Sequence, residues 1–533
     1  MKKMMKIFGL GFMCSAMLIN TACSDDTYGP DPEKDWAATT EYFNAPDEQM
    51  SLTYFKPAVG RVGDPMPFYD PKAQDFKVLY LQEHEKNTAC YHPFWGVSTV
   101  DGANYEVMGE VLPTGNSVLE ADAALGTGCV VYNEQEGLYY IYYTGHTAKE
   151  VVLRATSPDF KNWTKDYAWV LNGRDYGYSA ADFRDPQVFK ADDGLWRMVV
   201  STYPGAGGNP VFAEFKSSDL KNWEHVGSFE MLWDRMLECA DVFKMGSKWY
   251  FIYSESAREN WSRKVKYMMA DSWQGLKDCF NNKWWPDAAE GRLQNRSFYA
   301  AKTASNGIDR YIWGWCPYRV GEDVHAKNLD LGVCEGDEKR EPRWSGALVC
   351  HKLVQNEDGT LRLAAVPAMA DKYSEAQEVR VVGGVGYANG QITGEGYVLY
   401  NRLGYHNHIS LNVTADKDTK FGISLVRATD VEKYYTLLVE PMFDDVRRIF
   451  FVQEGSGAGN PDSYKWTTES DEFKHPADNV YHIDIYTDNS VVTMYINNVR
   501  SYTQRVHGIQ RNCWSVNSYG GTVAVSDVKV SQY

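Results

Sequence analysis

The sequence lacks three features that would point to common functional classes. It has no surplus of basic residues: 54 lysines and arginines stand against 71 aspartates and glutamates, a formal net charge of −17. Such a surface repels phosphate, which argues against nucleic acid or anionic lipid as a partner. The 10 cysteines are scattered without zinc-ligand spacing, and the chain has little of helical period. We therefore expect no metal or cofactor, and a neutral polymer as the ligand.

The N-terminus has the layout of a secretory signal. Three lysines precede an apolar run over residues 7–19 that is too short to span a bilayer. Small residues before Cys23 and acidic residues after it resemble a bacterial lipoprotein signal. We predict a signal peptide over 1–22, a lipid on Cys23 and a tether over 23–50. The protein would then be anchored at the outer membrane or cell surface by its lipid alone. A periplasmic or secreted protein with an ordinary Cys23 is the alternative.

Strand-like segments recur after the tether at a nearly constant spacing. They are rich in aromatic and β-branched residues and begin 54 to 62 residues apart, a period typical of repeated supersecondary units. The five segments cover residues 76–81, 138–143, 195–200, 249–253 and 311–315. A heptad returns with the same period at 157–163 and 217–223, and a weaker copy stands at 98–101. The chain therefore contains five related units.

Each unit is long enough for four strands and their turns, which predicts an all-β fold with a five-bladed β-propeller over residues 51–368. A long series of β-sandwiches is the alternative, but it does not require the heptad to return at a fixed phase. After about residue 370 the pattern changes to short alternating strands. This change predicts a C-terminal β-sandwich over residues 369–533.

Three carboxylates are predicted to occupy the same place in the first, third and fourth units. Asp64, Asp185 and Glu238 lie 12, 10 and 11 residues before the strand segment of their unit. Because equivalent positions in blades around an axis converge, we predict a ring of acids at one mouth of the channel. Like charges held together raise at least one pKa, so that one acid stays protonated while another stays ionised. Two carboxyls in these roles are the minimum for hydrolysing a glycosidic bond.

Several motifs carry a resemblance to a known family. They are Phe183-Arg184-Asp185-Pro186, Glu238-Cys239-Ala240-Asp241-Val242-Phe243, residues 298–301 with 312–315, and Trp344-Ser345-Gly346-Ala347-Leu348 ahead of 358–361. Together they resemble glycoside hydrolase family 32, the fructan and sucrose hydrolases, which have a five-bladed propeller and a C-terminal β-sandwich. The combination of Arg-Asp-Pro with Glu-Cys at this separation is the most specific part of the resemblance.

The resemblance implies a role for each acid. Asp64 matches the family nucleophile, and Glu238 matches the general acid/base. Asp185 matches the residue that stabilises the transition state and binds fructosyl hydroxyls. Arg184 would orient the carboxylates or a hydroxyl. It implies hydrolysis of β-linked fructan polysaccharides or oligosaccharides (levan, inulin) with retention of configuration. A retaining enzyme requires the carboxyls of Asp64 and Glu238 about 5 to 5.5 Å apart.

The first motif departs from the family pattern. Where the family usually reads Trp-Met-Asn-Asp-Pro-Asn-Gly, this chain has Arg61-Val62-Gly63-Asp64-Pro65-Met66-Pro67. The nucleophile and its proline remain, whereas the Asn and Trp that contact the terminal sugar do not. A catalytically silent fructan-binding protein is therefore a second hypothesis. An inverting five-bladed enzyme directed at arabinan or xylan is a third.

Aromatic side chains near the motifs are candidates for stacking on sugar rings. We predict substrate contacts from Trp95, Trp233 and Tyr299, and consider His92 beside them. Core packing is the alternative for each.

Overall fold

The computed structural model describes residues 53–57, 60–83, 90–231, 235–255, 264–283, 291–294, 297–319, 342–427, 434–454, 471–506, 509 and 512–533. The predicted signal peptide, the tether and Cys23 lie outside these residues, as does Trp233. Within the described ranges, no helix is both long and apolar enough to cross a membrane.

The first part of the described chain forms five consecutive four-stranded antiparallel units. Their strands are, in order, β1 (Arg61–Asp70), β2 (Asp75–Glu83), β3 (Phe94–Thr99), β4 (Glu106–Leu112), β5 (Leu125–Asn133), β6 (Leu138–Gly145), β7 (Val151–Ser157), β8 (Thr164–Lys165), β9 (Tyr178–Lys190), β10 (Trp196–Pro204), β11 (Val211–Ser217), β12 (Glu224–Glu230), β13 (Leu237–Met245), β14 (Lys248–Glu255), β15 (Lys264–Ala270), β16 (Arg292–Gln294), β17 (Tyr299–Ser305), β18 (Arg310–Arg319), β19 (Pro342–Gln355) and β20 (Leu361–Ala364). The predicted strand segments coincide with the second strands β2, β6, β10, β14 and β18, except that the third begins one residue before β10, and this agreement confirms the repeat of the strands.

The position of a strand within its unit explains its sequence. The second strand β6 is a continuous run of Leu, Tyr and Ile that is buried along nearly its whole length, as expected of a strand covered on both faces. The outermost strand β12 instead alternates exposed residues with half-buried or buried ones, since one of its faces meets water.

The first strands of the five units contact one another in a closed ring. Each of β1, β5, β9 and β13 contacts the first strand of the next unit, and β17 contacts β1. The first and fifth units are also joined by pairing of Val62 in β1 with Gly346 in β19. The N-terminal ends of the five first strands therefore surround a common space.

The repeated heptad is a hydrogen-bonded turn. Asp159 accepts the backbone N–H groups of Lys161 and Asn162, and Asp219 accepts those of the two matching residues in the next unit. Asp101 does the same in the first unit. The weak third copy of the heptad is thus the same turn, because the carboxylate supplies the acceptor that the turn needs.

The described helices are short, and the longest of them packs on the surface of the strand units. The helix α1 (Trp273–Asn282) begins after Ser272, whose side chain accepts the Gly275 N–H, and it buries one apolar face against the third and fourth units. A 3₁₀ turn (Gly173–Tyr176) precedes β9, and α2 (Ala368–Lys372) follows the fifth unit.

The remaining strands form one large antiparallel assembly around a second hydrophobic core. They are β21 (Glu375–Gln377), β22 (Val381–Ala388), β23 (Gln391–Tyr400), β24 (His406–Thr414), β25 (Phe421–Arg427), β26 (Tyr434–Pro441), β27 (Val446–Glu454), β28 (Asp471–Lys474), β29 (Val480–Asp488), β30 (Val491–Ile496), β31 (Arg500–Arg505) and β32 (Cys513–Gln532). The 20-residue strand β32 pairs with β23 and β25 in its first half and with β24 in its second half. It therefore links two groups of strands over a shared core.

The two parts of the chain meet through buried polar contacts. Arg505 donates to the carbonyl oxygens of Cys316 and Pro317. His351 is fully buried and is hydrogen-bonded to Tyr495 and Thr503. Each of these groups would be left without its partner if the two parts separated.

Candidate active site

A cavity of about 490 Å³ lies at the N-terminal ends of the first strands. All three predicted carboxylates, Asp64, Asp185 and Glu238, line it, and so does Arg184. The other lining residues are Leu81, His92, Leu125, Gly126, Thr127, Thr144, His146, Cys239, Tyr299 and Trp344. The ring of first strands thus brings together acids that lie up to 174 residues apart in the sequence.

A β-bulge aims the side chains of each first strand into the cavity. One extra residue interrupts the pairing of all five first strands with their second strands at matching places. The bulge places Asp185, Cys239 and Ala300 at φ of 58°, 54° and 54°, a left-handed conformation that is uncommon for residues other than glycine. Such bulges re-aim side chains and are frequent beside active sites.

The strand register corrects one part of the prediction. Asp64 and Asp185 are the first residues of their bulges, whereas Glu238 stands one residue earlier, at the place that Arg184 holds in the third unit. The turns between first and second strands differ in length. The number of residues between an acid and the second strand of its unit therefore does not fix its place in the bulge, and for Glu238 the prediction was wrong by one residue. As a result, Glu238 lies beside Arg184, with 3.7 Å between Oε1 and Nη1.

Two side chains from different units hold Asp64. The Thr127 hydroxyl donates to Oδ2 at 2.7 Å, and the Trp315 indole N–H donates to Oδ1 at 3.0 Å. Both carboxylate oxygens of Asp64 are therefore oriented by the fold.

Glu238 is held from the neighbouring unit in a similar way. The Tyr299 hydroxyl donates to Oε2 at 2.7 Å. Tyr299 pairs with Trp315 across β17 and β18, and their ring centroids lie 5.4 Å apart. Because Trp315 binds Asp64 and Tyr299 binds Glu238, one aromatic pair positions both acids.

Asp185 is the most buried of the three carboxylates, with 4% of its surface exposed. Its Oδ2 accepts the Cys239 backbone N–H at 2.8 Å, and its own N–H donates to the Thr144 hydroxyl at 3.0 Å. Burial, followed by repulsion from Glu238, raises the pKa of Asp185 to about 7, although Arg184 opposes the shift.

Arg184 is fixed by a second buried acid, Glu150. The Glu150 carboxylate accepts the Arg184 Nε–H and the Phe183 backbone N–H, each at 2.9 Å, and it is hydrogen-bonded to His146 Nδ1 at 2.7 Å. Burial opposes ionisation of Glu150, but the bonds to His146 and Arg184 hold its pKa below the usual range. The hydrogen bond to Glu150 raises the pKa of His146. The network keeps a charged guanidinium between Glu238 and Asp182, which it also contacts.

The predicted aromatic residues separate into two groups. Tyr299 lines the cavity and binds Glu238. Trp95 does not line the cavity, because it lies within β3 and packs against a hydrophobic core that the first, fourth and fifth units share with the C-terminal part. Core packing therefore accounts for Trp95, whereas Trp233 and Cys23 lie outside the described residues.

Several residues of the site carry no signal in the sequence that marks them. Thr127 and Glu150 are ordinary polar residues there, and only the tertiary structure brings them to Asp64 and Arg184. Trp315 and Trp344 lie within the family motifs, but their motifs do not indicate contacts to the cavity. Among the residues that the structure describes, no three His, Cys, Asp or Glu side chains are grouped so that they could hold a metal ion.

Comparison with known proteins gives two adjoining family matches. Residues 54–329, more than half of the chain, match the family described as "Glycosyl hydrolases family 32 N-terminal domain". Residues 359–530 match "GH32, BT1760-like, C-terminal domain".

A curated relative and two solved structures are similar to parts or most of the chain. Sucrose-6-phosphate hydrolase of Escherichia coli is 24% identical over 246 residues, 43% of this chain and 47% of that protein, so the alignment spans about half of the relative's length. Sucrose-6-phosphate hydrolase from Lactobacillus gasseri has a TM-score of 0.67 at 14% identity over 94% of this chain and 96% of its own.

Fructan 1-exohydrolase IIa from Cichorium intybus, solved in complex with 1-kestose, has a TM-score of 0.67 at 13% identity, over 91% of this chain and 97% of its own. At these identities the two structures show a shared fold. With the family matches over both parts of the chain, the sequence and the fold lead to one assignment: this chain belongs to glycoside hydrolase family 32.

Proposed function

We propose that the protein is a retaining glycosidase that hydrolyses β-fructosyl bonds in fructans. The observation that carries the proposal is the pair Asp64 and Glu238, whose carboxylates are both anchored in one cavity by the adjacent rings of Trp315 and Tyr299. Two carboxyl groups held about 5 to 5.5 Å apart on either side of a glycosidic bond are the machinery of retaining hydrolysis.

In the first step, an Asp64 oxygen attacks C2 of the fructosyl ring. The bond from C2 to the leaving oxygen breaks, and Glu238 gives its proton to that oxygen. The fructosyl group is then esterified to Asp64, and the remaining sugar leaves as an alcohol. The bonds from Thr127 and Trp315 hold Asp64 in one orientation for this attack.

In the second step, the ionised Glu238 takes a proton from water, and the oxygen of that water attacks C2. The ester bond to Asp64 breaks and regenerates the carboxylate. Two inversions give net retention of the β-configuration.

Asp185 and Arg184 would act on the same sugar without forming a bond to it. The buried Asp185 carboxyl is positioned to accept hydrogen bonds from fructosyl hydroxyls, and these bonds strengthen as positive charge develops on the ring. Arg184, fixed by Glu150, holds the Glu238 side chain in place.

We also propose that the five units are the blades of a five-bladed propeller and that the later strands form a β-sandwich. The closed ring of first strands and the shared core crossed by β32 support this arrangement. Likewise, we propose that Cys23 carries a lipid that tethers the protein to a membrane.

Product analysis tests the proposed activity. Purified protein incubated with levan, inulin, 1-kestose and sucrose should release fructose or oligosaccharides, and methanol added as an acceptor should give the methyl β-fructofuranoside. Asp64→Asn and Glu238→Gln should each lower kcat at least about 10³-fold. The matched controls are Asp271→Asn and Glu224→Gln, two exposed acids in surface ion pairs. If Asp64→Asn and Glu238→Gln both hydrolyse fructans at the wild-type rate, the proposed roles of the two acids are wrong.

A fructan-binding protein without turnover is the second candidate, and the altered motif around Gly63 favours it. Calorimetry with levan on the same sample distinguishes the two functions. Heat of binding without released sugar supports the binding protein, whereas turnover that is lost in Asp64→Asn excludes it.

A further inference from the structure

A second cavity lies toward the other end of the ring of first strands, away from the three acids. It has a volume of about 350 Å³, and its lining comes mainly from residues that stand later in the first strands and in the turns after them. In the fourth unit, for example, Glu238 lines the first cavity, whereas Asp241 and Phe243 line the second. Its volume is in the range of small-molecule sites. We call this space the distal cavity.

Two cations line the distal cavity, and neither forms an ion pair with an acid among the described residues. Lys302 is 2% exposed and donates to two neutral oxygens, the Gly128 carbonyl at 2.9 Å and Gln187 Oε1 at 3.0 Å. Arg310 donates to the Thr303 hydroxyl at 2.7 Å. A buried charge is costly unless an opposite charge offsets it. The distal cavity thus carries positive charge that its own side chains do not neutralise by contact.

Asp241, the buried acid of the distal cavity, is occupied by uncharged donors. Its Oδ2 accepts the Thr303 backbone N–H at 2.8 Å and the Thr303 hydroxyl at 2.6 Å, and its Oδ1 accepts Gln187 Nε2 at 3.3 Å. Glu134, the other acid in the lining, is exposed, so water and salt screen its charge. The interior of the distal cavity therefore holds two cations and one carboxylate, an excess of one positive charge.

Arg310 has the geometry of an anion-binding residue. Its guanidinium carbon lies 3.9 Å from the centroid of the Phe243 ring, a contact that orients the planar group. Burial lowers the pKa of Arg310 to about 10, although Asp241 opposes the shift. Among the described residues, only the Thr303 hydroxyl accepts a hydrogen bond from this guanidinium, so most of its N–H donors remain for a ligand. A guanidinium so placed can bind a carboxylate through two parallel hydrogen bonds.

Aromatic side chains supply walls for the rest of a ligand. Phe68, Tyr132 and Trp196 are half-buried and line the distal cavity together with Phe243. Such faces pack against flat or ring-shaped molecules. A bare inorganic ion would fill only a small part of this volume, so the ligand that fits has a ring-sized body.

We propose that the distal cavity binds a small organic monoanion, a carboxylate on a ring-sized body, with Arg310 holding the carboxylate and Trp196 packing against the ring. The excess of one positive charge favours a monovalent acid over a neutral sugar. Aromatic acids and sugar acids share this chemistry, and separate probes distinguish them. The site lies outside the cavity of the three acids, and the proposal does not depend on fructan hydrolysis.

Calorimetry with matched probes tests the role of charge. Benzoate and glucuronate are the acidic probes, and benzamide and glucose are their neutral counterparts. At pH 7 at least one acid should bind the purified protein about tenfold or more tightly than its counterpart. Binding of benzoate alone identifies an aromatic acid as the ligand class, and binding of glucuronate alone identifies a sugar acid. If neither acid binds better than its counterpart, the proposal is wrong.

Substitutions test whether the acid binds in the distal cavity. Arg310→Gln should raise the Kd of the bound acid at least about tenfold, and Trp196→Ala should raise it about threefold or more. Glu134→Gln should keep or lower the Kd, because it removes a negative charge near the ligand. An unchanged Kd in Arg310→Gln, or a loss of binding in Asp64→Asn, would place the acid elsewhere and overturn the proposal.

The matched control for Arg310 is Arg448→Gln. Arg448 also lies over a phenylalanine ring, that of Phe450 at 5.0 Å, but it is ion-paired with Glu440 in the C-terminal part of the chain. Its substitution should leave the Kd unchanged. Thermal unfolding shows whether each variant folds. If Arg310→Gln does not fold, Arg310→Lys, which keeps the charge but lacks the planar fork, should still raise the Kd, and a wild-type Kd in it would contradict the proposed role of Arg310.

Discussion

Asp185 shows at the scale of one residue how the fold changes a carboxyl group. The bulge in β9 turns it away from water and toward Glu238, while Arg184 and the Cys239 N–H favour its charged form. Its pKa of about 7 in the folded protein stands against 3.8 for the free side chain. The ionised form therefore destabilises the folded state in the absence of substrate.

This shift predicts the pH dependence of stability. The contribution from neutral Asp185 is fully present below about pH 3.8 and is lost as the pH rises through about 7. Asp185→Asn cannot ionise, so its free energy of unfolding relative to wild type should rise between pH 4 and pH 8 by roughly 1 to 4 kcal/mol. Urea titrations across this range measure the difference. Asp271→Asn, at an exposed site, is the control, and a flat difference for Asp185→Asn would contradict the expectation.

At the scale of elements, the turn after the third strand has the same hydrogen-bonded structure in three units. Asp101, Asp159 and Asp219 each accept two backbone N–H groups of the chain that follows, and an Asn side chain binds the second carboxylate oxygen. A local acceptor of this kind sets the direction in which the chain leaves the strand. The turn accounts for the regular return of the heptad.

Removing one of these turns should lower stability without changing the site. Burial opposes the charge on Asp101, but hydrogen bonds, the first of them from Asn104, hold its pKa below the usual range. Asp101→Ala should therefore cost roughly 1 kcal/mol near neutral pH, and the loss should shrink as the pH falls below the usual Asp pKa. Chemical unfolding at pH 7 and pH 3 checks both expectations. Asp271→Ala serves as an exposed control. If it loses as much free energy of unfolding as Asp101→Ala does, loss of the turn does not explain the effect.

For the whole molecule, the joint between its two parts combines a shared hydrophobic core with buried polar contacts. Arg505 donates to two carbonyl oxygens of the fifth unit and to Ser490. His351 is kept neutral because burial lowers its pKa to about 3. Its contribution to stability is present above the usual His pKa and is lost as the pH falls toward 3, opposite in sign to that of Asp185. The two parts should therefore unfold together near neutral pH.

Breaking this joint should uncouple the two parts. Arg505→Met removes the hydrogen bonds from Arg505 to two carbonyl oxygens of the fifth unit and should cost about 2 to 4 kcal/mol, seen as a lower or split thermal transition. Arg500→Met, on the same strand with exposed hydrogen bonds, is the control. A single unfolding transition at the wild-type Tm would show that Arg505 does not couple the parts.

The proposed lipid anchor is a further prediction for the whole chain. In a bacterial host, the wild-type protein should fractionate with membranes, because several acyl chains on one residue hold a protein firmly. Cys23→Ser should release it to the soluble fraction, whereas Cys14→Ser, within the predicted signal, should not. Equal fractionation of wild type and Cys23→Ser would exclude the anchor.

Local sequence was sufficient to predict the nearly all-β class of fold, the five recurring strand segments and the three carboxylates that meet in one cavity. These features depend on the alternation of residues along a strand and on short motifs such as Arg184-Asp185-Pro186. Both are properties of residues that are neighbours in the sequence, so they can be predicted from a single sequence. Residues at similar positions in related units lie at similar heights in the ring. The repeat therefore also predicted that Asp64, Asp185 and Glu238 lie at one end of the ring.

Only the tertiary structure decided the details on which the chemistry depends. Asp64 is oriented by Trp315, 251 residues away, and the register of each bulge set Glu238 beside Arg184 rather than at the position of Asp185. Trp95 is half-buried in β3 and packs against a hydrophobic core, whereas Trp344 lies over Gly63 and lines the cavity. Such contacts join distant parts of the chain whose spacing depends on turn lengths and packing, and a shift of one residue changes the direction of a side chain.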